Sequence, residues 1–265
     1  MAKVFSVTNQ KGGVGKTTTS VNLAASLVAT KKKVLLIDLD PQGNATMGSG
    51  VDKNDVEFSL YDVLVHGKAI AEVSIFSETA AYDILPANAD VTAAEVELLN
   101  LDAKEFRLRD ALVIERPKYD YIIIDCPPSL NMLTVNALAA SDGVIIPMQC
   151  EYYALEGLSA LLDTITQIQE VLNPQLEIEG LLRTMYDPRN SLTQDVSAQL
   201  NEHFGDKVYR TVIPRNIRLA EAPSYGLPVL YYDKQSKGAL AYLALAGEML
   251  RRSDCEETEA VAESA

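Results

Sequence analysis

The sequence predicts an α/β fold: a doubly wound, mainly parallel sheet with helices on both faces. Three observations predict it. Strand-like and helix-like segments alternate along nearly the whole chain. Two of the strand-like segments, Val34-Leu35-Leu36-Ile37-Asp38 and Tyr121-Ile122-Ile123-Ile124-Asp125, are continuous apolar runs. Such runs belong to strands buried on both faces of a parallel sheet. A glycine-rich turn joins the first strand to the first helix.

The elements follow in order. Lys3–Thr8 reads as a strand, and Lys16–Thr30 as a helix with Val21, Ala24, Ala25 and Val28 on one face. Val34–Asp38 is the first fully buried strand, and Tyr82–Pro86 a short one. Helical patterns cover Ala89–Asn100 and Ala103–Glu115. Tyr121–Asp125 is the second buried strand, stopped by Pro127-Pro128. Gly143–Pro147, Glu179–Thr184 and Val208–Ile213 read as further strands. Leu155–Leu172, Leu192–Phe204 and Gly238–Arg252 read as helices. No Pro/Gly/Ser-rich linker divides the chain, so residues 1–252 are expected to form a single domain. Residues 253–265 are acidic and expected to be disordered.

Bulk composition removes several function classes. The chain has 265 residues, of which 48% are apolar and 23% charged, as in ordinary globular proteins. No apolar run approaches the about 18 residues of a membrane-spanning helix. The N-terminus turns polar too soon for a secretory signal, so a cytoplasmic location is expected. Cys126, Cys150 and Cys255 form no CxxC pair, and His66 and His203 have no ligand spacing. Buried thiols are the plain reading of Cys126 and Cys150. The net charge of −14 opposes nucleic acid as a partner unless cations cluster locally.

The turn after the first strand carries the chemistry. It reads Asn9-Gln10-Lys11-Gly12-Gly13-Val14-Gly15-Lys16-Thr17-Thr18. The common phosphate-loop pattern, GxxxxGK[ST], would need a glycine where Gln10 stands. The mechanical parts are nonetheless present. Gly12, Gly13 and Gly15 leave backbone amides open to phosphate oxygens, and the following helix aims its positive end at the same anion. Lys16 can reach β- and γ-phosphates, and Thr17 offers the hydroxyl expected on Mg²⁺. Lys11 is an extra cation that calls for an anion nearby, in its own subunit or a partner.

KGGVGKTT, with lysines at 11 and 16, resembles the deviant Walker A box of the ParA/MinD superfamily of P-loop NTPases. The resemblance runs from Ala2 to Arg252 and is strongest to the short ParA proteins of Soj type. It implies ATP and Mg²⁺ as cofactors, with Lys11, Gly12, Gly13, Val14, Gly15, Lys16, Thr17 and Thr18 around the phosphates. It also implies that Lys11 acts across a dimer interface on the partner's nucleotide. Asp38-Leu39-Asp40-Pro41 resembles the family's second box, in which Asp40 positions the attacking water. Asp38 is then either near the Mg²⁺ shell or a structural partner of the loop. Tyr121–Asp125 resembles a Walker B strand with Asp125 supporting the metal. Pro214, Arg215 and Asn216 resemble the segment bordering the adenine, with Met185 a candidate for its other side. A methionine at a strand end is also an ordinary core residue.

What the resemblance implies for function is a slow, Mg²⁺-dependent ATP hydrolase of chromosome or plasmid partition. ATP binding drives homodimerisation and nonspecific binding to double-stranded DNA, and a ParB-type partner stimulates hydrolysis. A nucleoid-associated location follows. Arg189 and Arg218 are the candidate DNA contacts, with Lys207, Arg210, Lys234 and Lys237 in the same basic third. Arg218 can instead pair with Glu221. No cluster cysteines support an iron–sulfur relative, and no basic amphipathic end supports membrane binding. The alternative is a MinD-like positioning ATPase of the same fold that acts on a protein or membrane cargo without DNA.

Overall fold

All residues of Val34–Asp38 and Tyr121–Asp125 are buried, and these two runs lie side by side near the middle of the sheet. The computed structural model describes residues 1–152 and 154–263. Among them the strands are β1 (Lys3–Val7), β2 (Val34–Asp38), β3 (Ile75–Ser77), β4 (Tyr82–Leu85), β5 (Tyr121–Asp125), β6 (Gly143–Gln149), β7 (Glu177–Tyr186) and β8 (Val208–Pro214). They form an eight-stranded sheet in the order β3-β4-β2-β5-β1-β6-β7-β8. Only β3 with β4 is antiparallel; the other pairs are parallel. From β1 the chain goes first to β2 on one side and, after returning through β5, to β6 on the other, so the C-terminal end of β1 lies where strand order reverses. Open α/β sheets bind ligands there.

Helices cover both faces. Helix Lys16–Ala29 packs with the C-terminal helix against one face, around Val7, Leu36, Ile123 and Leu182. The opposite face is covered over Leu35, Ile37 and Ile124 by the helices at residues 60–64, 91–97, 107–112 and 132–140. Beyond them, helices Ala154–Val171 and Ser191–Phe204 pack on β6 and β7. Helix Ala154–Val171 turns in Leu158, Leu161, Ile165 and Ile168, the spacing of one helical face.

Several elements differ from expectation. The expected helix Ala103–Glu115 is helical only over Arg107–Leu112; Ala103 has a left-handed φ of 51°, which keeps the helix from starting there. Helix Met132–Ala140 was not expected; it is apolar on nearly all sides and so shows no periodicity. Its start is fixed by Asn131, whose side chain accepts from the Thr134 N–H. The C-terminal helix extends from Lys237 to Glu263, so the disordered tail expected from 253 is helical to that point. No proline or glycine follows Gly247, and Glu, Ala and Arg favour helix. Residues 264–265 of that segment lie outside the described residues.

β8 is an edge strand, and side chains occupy its backbone groups. The Glu248 carboxylate accepts from the N–H groups of Arg210 and Thr211 at 2.7 and 2.9 Å. Arg183 donates to the Tyr209 carbonyl, and Arg252 to that of Val208. These contacts occupy backbone groups in the Val208–Thr211 part of the strand, where they hinder pairing with a further strand.

Gly180 on β7 supports the same corner. A Cβ there would stand 2.5 Å from Cε2 of Tyr209, whose ring is buried beneath the Arg252 guanidinium. Gly180→Ala is therefore expected to cost about 1–3 kcal/mol by overpacking. A lower denaturant midpoint at unchanged slope is the measurement that checks it.

Candidate functional site

The loop between β1 and helix Lys16–Ala29 is held from three sides. Asn9 donates from Nδ2 to the Pro147 carbonyl at 2.8 Å, and its Oδ1 accepts from the Lys11 N–H at 3.0 Å. Thr184 donates from Oγ1 to the Val14 carbonyl at 2.7 Å. Gly13 and Gly15 have φ of 73° and 90°, a region that side chains disfavour. Gly15 precedes the first helical residue and supplies no side-chain cap, so the leading N–H groups of the helix remain available to an anion. Nothing stands within 4 Å of the position a Cβ on Gly12 would take.

Lys16 is 8% exposed, and its Nζ donates to the Lys11 carbonyl at 3.2 Å. Burial lowers the pKa of its amine, while the nearby charges of Asp125 and Asp40 oppose that shift. Thr17 donates from Oγ1 to Asp125 Oδ2 at 2.7 Å, and Ser20 from Oγ to Asp125 Oδ1 at 2.8 Å. Asp125 is fully buried. Burial pushes its carboxyl above the ordinary range, and the two hydroxyls pull it back.

Asp38 stands opposite Asp125 in the β2–β5 register. Its Oδ2 accepts from the Thr46 N–H and Oγ1, each at 2.7 Å, and its Oδ1 from the Asp40 N–H at 3.2 Å. Of the two roles expected for it, the geometry is that of the structural partner: both oxygens anchor the loop that carries Asp40. Burial and the neighbouring Asp125 charge raise its carboxyl, against the Thr46 hydrogen bonds. Asp40 is half-buried and accepts the Gln42 N–H at 2.9 Å. Lys16, Asp40 and Asp125 therefore converge at one end of the sheet.

Met185 and Pro214 occupy the C-terminal ends of adjacent strands, where Tyr186 pairs with Pro214. Met185 has a left-handed φ of 48°, uncommon for such a side chain. Asn216 caps helix Ile217–Glu221 by accepting the Arg218 N–H, and Arg215 is exposed. The two expected DNA contacts are ion-paired. Arg189 is 88% exposed and donates to both oxygens of Asp187, whose carboxyl it holds down to about 2. Arg218 donates to Glu221 at 2.8 Å and lies 3.4 Å from Asp233.

Sequence reasoning missed Ser20, Thr46, Thr184 and Glu151. Ser20 had a signal, being one helical turn beyond Lys16 and Thr17. Thr184 and Glu151 reach the site through pairings distant in sequence, and Thr46 through Asp38 eight residues before it. Glu151 lies 2.7 Å from the Lys11 amine. Among the described residues no group of three or more His, Cys, Asp or Glu is placed to hold a metal, and no helix is long and apolar enough to cross a membrane.

A family model described as an AAA domain matches residues 2–178. An uncharacterised protein of Pseudomonas putida is 71% identical over 95% of this chain and 96% of its own. The sporulation initiation inhibitor protein Soj of Bacillus subtilis is 54% identical over 94% of this chain and 98% of its own. The chromosome partitioning protein ParA of Caulobacter vibrioides is 49% identical over 97% of each. A solved structure named cobyrinic acid a,c-diamide synthase, from Mycobacterium smegmatis with an ATP analogue and magnesium, matches with a TM-score of 0.84. It is 36% identical, with 96% of both chains covered.

The paired aspartates give a pH signature. Both carboxyls titrate above the ordinary value of about 4. Above that pH the folded chain binds more protons than the unfolded one, so stability falls as pH rises. Asp38→Asn removes one carboxyl and its charge from the other. In metal- and nucleotide-free buffer, the loss of stability between about pH 6 and about pH 8 should shrink in the variant. Denaturant midpoints at the two pH values measure it, and an unchanged loss would refute the coupling.

Proposed function

The chain belongs to the ParA/Soj group of the ParA/MinD ATPase superfamily, and from that premise we propose that it is an ATP-dependent DNA-partitioning ATPase. The observation that supports this most is the convergence of Lys16, Thr17, Asp125 and Asp40 on a glycine loop at a helix N-terminus. The donor set fits a nucleotide with Mg²⁺. Backbone N–H groups and the Lys16 ammonium match phosphate oxygens, and the Thr17 hydroxyl with the Asp125 carboxylate matches a hard cation. Bound Mg²⁺ supplies neutralisation of phosphate charge.

The chain's own groups divide the work. The loop amides and Lys16 hold the phosphates, and Asp125 fixes the Thr17 hydroxyl. Asp40, on a loop anchored by Asp38, orients water and accepts its proton. Lys11 is offered to the nucleotide of a second subunit and stabilises charge on the transferring group, as an arginine finger does. The expected arrangement lacks an activating arginine or glutamine in cis, so intrinsic turnover is slow and a ParB-type partner accelerates it. ATP thereby sets the dimer state, and the dimer binds DNA nonspecifically.

A second reading, a positioning ATPase without DNA, has one observation in its favour. Arg189 and Arg218 are ion-paired on a chain of net charge −14. DNA retention with and without ATP across a salt series separates the two. The partition reading expects retention with ATP that falls steeply with salt; ATP-independent or absent retention selects the second. Lys11→Ala is expected to keep ATP binding and lose ATP-dependent dimerisation, read by light scattering. Lys16→Ala is expected to lose both.

A further inference from the structure

We propose that Glu151 is an intramolecular counter-ion that holds Lys11 within its own subunit, and that assembly of the dimer opens this pair. The inference rests on the trans role proposed above for Lys11. It begins from topology. β1 and β6 are neighbours, so the loop after β1 and the turn after β6 emerge side by side. Lys11 lies on the first and Glu151 on the second, 140 residues apart in sequence.

Both partners stand on fixed backbone. Asn9 ties the Lys11 N–H to the Pro147 carbonyl on β6. Glu151 sits in a turn where its N–H donates to the Gln149 carbonyl and its own carbonyl accepts from Ala154. The ammonium and carboxylate meet at 2.7 Å. A second contact holds the same residue, since the Lys11 carbonyl accepts from Lys16 Nζ. A phosphate on Lys16 competes for that amine. Nucleotide bound within the subunit thus loosens residue 11 at its backbone, and the Glu151 pair remains as the last restraint on its side chain.

The pair and the trans contact exclude one another. Bringing Lys11 to the partner's phosphates with Glu151 still attached would press a carboxylate against an anion. The restraint is also weak enough to release. The two side chains are 41% and 47% exposed, and ion pairs of that kind shift an equilibrium by up to about fivefold. Glu151 therefore biases Lys11 toward the single subunit without locking it there.

Glu151→Gln keeps the size of the side chain and removes its charge. Two readouts on the full-length chain test the proposal. The first is acetylation of the Lys11 amine by a limiting amine-reactive reagent without nucleotide, followed by peptide mass spectrometry. Labelling should rise by up to about fivefold in the variant. The second is the protein concentration at half-dimerisation with a non-hydrolysable ATP analogue, which should fall by a similar factor. Unchanged labelling, or a half-dimerisation concentration that is unchanged or higher in the variant, overturns the proposal. The higher value would assign Glu151 to the dimer contact itself. A wild-type chain that never dimerises with the analogue overturns the trans reading first, which separates that failure from failure of the Glu151 restraint alone.

Discussion

The site depends on the tie between Asp125 and helix Lys16–Ala29. Asp125 ends the central strand β5, fully buried, and both of its oxygens accept hydroxyls from that helix. Thr17 and Ser20 lie one turn apart, so the two bonds fix the helix in rotation as well as height. The helix N-terminus, its free N–H groups and Lys16 are thereby aimed at one point beyond the sheet. Burial disfavours the charged carboxylate, and the hydroxyls and Lys16 offset this only in part. The tie thus leaves a site that is short of positive charge and receptive to a cation.

Asp38 extends the same logic to the neighbouring strand. Its register pairing with Asp125 sets two carboxyls side by side, and each raises the cost of ionising the other. The Asp38 oxygens are committed to Thr46 and to the Asp40 N–H. Thr46 Oγ1 in turn accepts the Ala87 N–H beyond β4. The aspartate beside the phosphate loop is therefore positioned by a chain of hydrogen bonds reaching across two strands. Positions that reach the site through this chain act on Asp40 geometry without touching a ligand.

Much of this was legible in the sequence, and the exceptions share a cause. The buried strands announced themselves as continuous apolar runs, and Lys16, Thr17 and Asp125 met because each ends or begins an element at the same sheet edge. Helix Met132–Ala140 was invisible because a helix buried on nearly all sides has no polar stripe. β3 was too short to read. Thr184 and Glu151 meet the loop from segments 170 and 140 residues away, and no local pattern encodes such a meeting. Arg218 was legible in both its possibilities, and its geometry is that of a local ion pair with Glu221.

The two lysines of the loop differ in how firmly they are held, and that difference is physical. Lys16 is buried beside the charges of Asp125 and Asp40; removing it would strand acids in a poorly solvated crevice. Among the described residues Lys11 pairs with one half-exposed carboxylate, and parting such a pair costs about 1 kcal/mol or less. The change of partner proposed for Lys11 requires the second kind of counter-ion. Were Glu151 as buried as Asp125, the energy needed to free Lys11 would exceed what one new phosphate contact returns. Were Glu151 absent, Lys11 would lose the ion pair that holds its amine among the described residues. Half-exposure at the rim of the crevice lies between these limits, as the proposed exchange of partners by Lys11 requires.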